Sequence, residues 1–154
     1  MAYTVAPRAV FGERKDLPVG EHIVTIKIAK IQDSRFAPYK EISDMGFTKV
    51  EEISILLEND LGETKFDTIG QKLNKETITL EFYTWKMNNY SDAVNIPVGT
   101  TFGSIQEWAN YLVGKRIKVV IEQKENSEYT RVASVLRNDE EDNIPPINAG
   151  DLPF

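Results

Sequence analysis

The 154-residue chain carries no cysteine, one histidine, 18 Lys and Arg and 24 Asp and Glu, for a formal charge of −6. A domain of this length buries roughly 70% of its unfolded surface and needs no covalent staple. The missing cysteines exclude thiol nucleophiles, Cys-ligated zinc and iron–sulfur clusters, the lone His22 excludes a multi-histidine metal centre, and the acidity argues against a polycation that wraps nucleic acid.

Residues 1–14 read as an N-terminal arm that leads to a turn at Leu17-Pro18-Val19-Gly20. Arg8 interrupts the mildly apolar stretch Val5 to Phe11, so no signal-peptide core is expected. No run approaches the ~18 continuous apolar residues of a membrane span. A cytoplasmic protein without membrane association is the expectation.

From Glu21 the pattern is that of a strand, with Val24, Ile26 and Ile28 alternating with Thr25 and Lys27. Residues 33–46 read as a polar loop holding Arg35, Phe36, Pro38, Tyr39 and Lys40. Ile53, Ile55 and Leu57 mark a second strand, which Asn59-Asp60-Leu61-Gly62 turns toward Thr64, Phe66 and Thr68. Ile78, Leu80 and Phe82 alternate with Thr79, Glu81, Tyr83 and Trp85, which predicts a third strand region with Tyr83 and Trp85 on its polar face. Ser104 and Glu107 form a capping box for a helix whose apolar stripe is Ile105, Trp108, Ala109 and Leu112, and Gly114 supplies its left-handed stop. Ile117, Val119 and Ile121 make the next strand, and Tyr129 to Leu136 the last.

Three strand regions, a helix and two strands are the order of an all-β domain with one helix: a five-stranded OB-type barrel with the helix between strands 3 and 4. That domain spans residues 15–137. Beyond it, residues 138–154 contain five acids (Asp139, Glu140, Glu141, Asp142, Asp151) and no Lys or Arg. Taking those five away leaves 19 acids against 18 bases, so the acidity belongs largely to this tail, which reads as disordered and solvated.

Little in the chain suggests catalysis. Gly114-Lys115 ends a helix and has no glycine five positions before it, so it is no phosphate-binding loop. There is neither H-E-x-x-H nor G-x-S-x-G. His22 reads as a surface or edge residue at the start of a strand. Glu51-Glu52 and Glu140-Glu141 are adjacent, which on a strand sends their side chains to opposite faces. No enzyme, cofactor or metal is expected.

Binding is better supported. Tyr83, Trp85, Lys86 and Tyr90 follow one another along the third strand region, and Arg35, Phe36, Tyr39 and Lys40 share the first long loop. Aromatic rings stack on single-stranded bases while neighbouring cations track phosphates. In an OB fold the strand 2–3 face and the loops after strands 1 and 4 form that cleft, which adds Lys27, Lys118 and Arg131 as candidate cations. The competing reading packs Tyr83 and Trp85 under residues 86–103 as a satellite core. Trp108, at helical spacing with Ile105 and Leu112, belongs to the core.

The chain ends Gly150-Asp151-Leu152-Pro153-Phe154 after an acidic run and Ile144-Pro145-Pro146-Ile147. This resembles the acidic C-terminal tip of bacterial single-stranded-DNA-binding proteins, which finish Asp-Asp-Ile-Pro-Phe. Asp151, Pro153 and Phe154 match, Leu152 is a conservative change, and Gly150 replaces an acid. The body is similar to the small OB-fold single-stranded-DNA-binding proteins of bacteriophages, through Leu17-Pro18-Val19-Gly20-Glu21-His22 and through Tyr111 to Val119 with the two strands that follow. Residues 70–103 match no pattern of that family. The resemblance implies a phage protein in the bacterial host cytoplasm that protects single strands during replication, recombination or repair. Asp151, Leu152, Pro153 and Phe154 would then recruit replication or recombination proteins, and a homo-oligomer is compatible with it. An apolar partner pocket with a cation at its rim captures a terminal Phe by ring and carboxylate together. A purely solubilising tail is the plainer reading. A β-barrel adaptor or small virion component that never touches nucleic acid is the alternative for the whole chain, and a carboxylate-based hydrolase or nuclease a weaker one.

Overall fold

The computed structural model describes residues 2–5, 15–35 and 37–138. The arm residues 1 and 6–14, Phe36, and the acidic run and tip at 139–154 lie outside the described residues. The fold is mostly β: five strands make one antiparallel sheet, with a separate two-stranded hairpin and three helices among the described residues.

The first strand, β1 (Gly20–Asp33), is 14 residues long and pairs with β2 (Glu51–Asn59) on one side and β6 (Arg116–Gln123) on the other. Val24 and Ile26 point into the core as the alternation predicts. The register then shifts between Ile26 and Ile28, so the inward set continues as Ala29 and Ile31. An extra residue in one strand reverses which face every later side chain takes. Ile28, expected inside, is therefore 37% exposed on the outer face.

From β2 the chain turns into β3 (Thr64–Ile69) as the sequence suggests. The Asn59 side-chain oxygen accepts from the N–H groups of Leu61 and Glu63, and Gly62 takes the left-handed φ of +80° that closes the turn. Thr64 also bonds the segment before β1: its N–H donates to Lys15 O and its carbonyl accepts from Leu17 N–H, which seats Leu17 in the core.

The expected third strand region is shorter than its alternation. β4 (Gln71–Asn74) and β5 (Thr79–Phe82) form the separate hairpin, and Ile78 is an exposed turn residue at φ +53°. The strand stops at Phe82. Tyr83 and Trp85 do not continue it, because residues 84–93 form a helix, α2 (Thr84–Ala93). The loop at 33–46 is also partly structured. β1 runs through Asp33, and a single turn, α1 (Lys40–Ser43), buries Ile42. The capping box holds: Ser104 Oγ accepts from Glu107 N–H at 3.1 Å, and the Glu107 carboxylate reaches back to Gly103 N–H at 2.8 Å. The helix so started is α3 (Ile105–Leu112), and it leads through Gly114 at φ +88° to β6 and then β7 (Thr130–Arg137).

The sheet order is β3-β2-β1-β6-β7. β3 and β7 are its edges, and no ladder joins them among the described residues, although Lys65 Nζ on β3 donates to Thr130 Oγ1 on β7 at 2.8 Å. α2 packs on β7 and is tied to β3, so it sits at this seam. The core under the sheet contains Val24, Ile26, Ile53, Ile55, Leu57, Ile117, Val119 and Ile121, closed by Trp108 and Leu112 from α3 and Tyr90 from α2. Trp108 is a core residue, as its spacing indicates. Among the described residues, no helix is long and apolar enough to cross a membrane.

Candidate nucleic-acid interface

Downstream of the bulge, the outer face of the β1–β2–β3 meander is set by register. Ile28, Leu56 and Phe66 align in one cross-strand row, and Lys30, Ser54 and Thr68 in the next. Pairing of Ile53 with Ile69 and of Ile55 with Asp67 turns Ile69 and Asp67 to the core face, so Phe66 is 53% exposed and Asp67 is buried. α2 makes that burial tolerable. Its Lys86 Nζ donates to Asp67 Oδ1 at 2.8 Å and to Thr68 O at 2.6 Å, and the Tyr90 hydroxyl donates to Asp67 Oδ2 at 2.6 Å. A carboxylate so satisfied tolerates burial. The Tyr90 phenol is held protonated well above its usual range, first by burial and then by the neighbouring Asp67 charge.

This clamp positions the aromatic pair. Tyr83 caps α2 in an extended conformation, with its N–H donating to Gly70 O, and Trp85 lies in the first turn. Their rings meet edge-on, with centroids 6.5 Å apart and planes at 63°. Tyr83 is half-buried beneath Lys72, whose amine stands 5.9 Å from the ring centroid, and Trp85 is 61% exposed.

Two clefts flank Phe66 and Thr68, and both residues line both of them. One, of about 540 Å³, is walled by Arg35, Pro38 and Tyr39 from the loop after β1 and by Tyr83. The other, of about 490 Å³, lies at the seam and is walled by Lys65, Trp85, Lys86 and Asn89 on one side and Lys124, Thr130 and Arg131 on the other. The two clefts meet at Phe66 and Thr68 and together form a groove lined by Tyr39, Phe66, Tyr83 and Trp85 and by basic side chains. Its charge is mixed. Glu51 and Glu52 line the first cleft, Arg131 pairs with Glu122 at 3.6 Å, and Lys65 with Asp16 at 3.9 Å.

Of the candidates named from the sequence, the groove unites Arg35, Tyr39, Tyr83, Trp85, Lys86 and Arg131. It does not include four others. Tyr90 is fully buried in the core with its hydroxyl on Asp67, so it offers no face for stacking. Lys27 sits at the bulge near Glu58, Lys40 pairs with Asp44 along α1, and Lys118 lies on β6 between Ile23 and Leu136. Phe36 and the tip residues Asp151, Leu152, Pro153 and Phe154 are outside the described residues. Sequence reasoning missed Phe66, Lys65, Lys124 and Asn89. The signal for Phe66 was its place between Thr64 and Thr68, an aromatic on an otherwise polar strand face. Among the described residues, no three His, Asp or Glu side chains converge to hold a metal ion.

No curated protein matches the chain. A family model does match residues 58–146, from the end of β2 through the β7 strand and beyond it, and by that match the chain belongs to the family described as protein of unknown function (DUF669).

Proposed function

We propose that the protein is a non-catalytic single-stranded-DNA-binding protein of phage type, acting in the host cytoplasm in replication, recombination or repair. The observation that carries this reading is the groove, which gathers the exposed rings of Tyr39, Phe66 and Trp85 and the half-buried ring of Tyr83 between Arg35 in one cleft and Lys65, Lys124 and Arg131 in the other. Bases stack on such rings irrespective of sequence, and nearby cations meet the phosphates. The mixed charge of the walls makes stacking the larger part of the affinity.

An OB-type frame is supported by the strand order, with β1 pairing to both β2 and β6 and α3 leading into the last two strands. In that frame the binding face is the outer surface of the second and third strands, flanked by the loops after strands 1 and 4. Here those are the β2–β3 face, residues 34–50 and the turn before Thr130, the same regions that wall the groove. On this reading α2 fills the seam that a closed barrel would zip with a ladder.

Oligo-dT should quench tryptophan emission and shift the protein on a gel, while duplex of the same length should do neither. Trp85→Ala should cost about 1–3 kcal/mol of binding, and Trp108→Phe should leave the quench intact. A quench lost with Trp108 and kept without Trp85 would overturn the site. Neither shift nor quench would favour the adaptor reading, which the acids in the groove walls suit. The tip at Asp151–Phe154 would recruit a replication or recombination partner through the Phe154 ring and carboxylate. Deleting Phe154 should then abolish partner capture and leave oligo-dT affinity unchanged.

A further inference from the structure

α2 is a wall shared by two openings. Trp85, Lys86 and Asn89 face the groove described above, whereas Met87, Asn88 and Ser91 line a second groove of about 740 Å³ on the opposite side of the helix. This second groove is mostly apolar, with Ile96, Pro97, Val98 and Phe102 along it and an edge of Trp108 at its floor. Val98 is fully exposed, an arrangement that water disfavours.

The chain supplies an occupant of its own. Arg137, the last residue of β7, lines the same groove and donates to Asp92 Oδ1 at 2.7 Å on α2. Asn138 after it is still buried, so the chain leaves the described region while packed against the domain. Six residues later comes Ile144-Pro145-Pro146-Ile147, and a six-residue connection spans up to roughly 20 Å, enough to reach along a groove that begins at Arg137. The family match is independent of this geometry. It does not stop at the end of β7 but continues to residue 146, so the shared unit of the family includes most of this apolar segment.

We propose that the groove between α2 and the 95–102 segment is the docking site of this chain's own Ile144–Ile147. A Pro-Pro pair has few backbone conformations to lose on binding, and aromatic-lined grooves accept proline-rich segments. The flanking isoleucines cover the exposed apolar wall. The site is separate from the proposed DNA groove, and its test uses no nucleic acid.

The natural chain has no cysteine, so one introduced thiol is a unique probe. In the full-length Asn88→Cys chain, maleimide labelling should accelerate about fivefold when Ile144→Asp and Ile147→Asp are added, the ratio for a segment docked about four-fifths of the time. A thiol placed by Glu128→Cys on the β6–β7 turn should label at one rate with or without the tail changes. Equal rates for the Asn88→Cys thiol in both backgrounds would overturn the proposal. So would protection that disappears on dilution, which would assign the groove to the tail of a second copy, and so would equal acceleration of the thiol on the turn, which would mean general loosening.

Discussion

The two longer helices are built by different means. α3 carries its own instructions: Ser104 caps it, Glu107 closes the box, Ile105, Trp108, Ala109 and Leu112 form one stripe, and Gly114 ends it. α2 has no side-chain cap, no acid in its first turn and no base in its last. Partners distant in sequence hold it instead: Asp67 takes Lys86 and Tyr90, Trp108 Nε1 donates to Ser91 Oγ at 2.9 Å, and Arg137 holds Asp92. A helix with one apolar stripe contributes that stripe to the core. A helix held from outside keeps two faces exposed, and both faces of α2 wall a groove. The part of the molecule least determined by local rules carries the candidate chemistry, as is common at functional sites.

The most direct way to break this contrast is to remove the carboxylate that holds α2. Asp67→Ala strands the buried Tyr90 hydroxyl and leaves the half-buried Lys86 amine with Thr68 O but no counter-charge, and should cost about 2–4 kcal/mol in chemical denaturation. The loss should be uneven. Amides of residues 84–93 should exchange through local opening, while those of residues 105–112 should exchange only with global unfolding. A cost below about 1 kcal/mol would show that α2 does not depend on Asp67.

Alkali tests the same clamp more gently. The Tyr90 phenol is raised in the folded state by burial and by Asp67, so its contribution to stability is complete below the unfolded value near 10. As pH rises past that value the unfolded chain ionises there and the folded chain does not. Stability should fall by up to about 1.4 kcal/mol per pH unit until the folded phenol also loses its proton. Tyr90→Phe should flatten that slope relative to the natural chain when denaturation is compared at pH 9 and 11. Parallel slopes would mean that the phenol is not sequestered.

The legible parts of the chain were those where a short-range rule was sufficient. Asn59 to Gly62 announced the hairpin, and Ile117, Val119 and Ile121 the buried face of β6. The misread parts each depend on a contact the local pattern does not contain. The shift after Ile26 turns Ile28 outward, although nothing in Val24 to Ile28 breaks alternation. Residues 78–85 alternate well beyond the strand they form, because Tyr83 starts a helix whose retaining carboxylate is on β3. Tyr90 reads as a further stacking ring because it follows Tyr83, Trp85 and Lys86 along the chain, five residues after Trp85. On a helix that interval nearly reverses direction, which sends Tyr90 into the core while Trp85 faces the groove. The aromatic content of the interface was readable from composition, but its geometry depended on the seam between β3 and β7.

The smallest expected effect concerns the self-sufficient helix. Ser104→Ala removes the acceptor for Glu107 N–H at the start of α3 and should cost about 1 kcal/mol of stability. The Glu107 carboxylate still bonds Gly103 N–H, and the stripe of Trp108, Ala109 and Leu112 stays packed, so the helix should persist. Neither Ser104 nor its neighbours line the groove holding Trp85, so oligo-dT affinity should be unchanged while the denaturation midpoint falls. Asp67→Ala should differ by lowering both together, since the carboxylate that stabilises α2 also places Trp85. If Ser104→Ala weakened oligo-dT binding as much as it weakened the fold, α3 would be part of the binding apparatus and the division between the two helices would not hold.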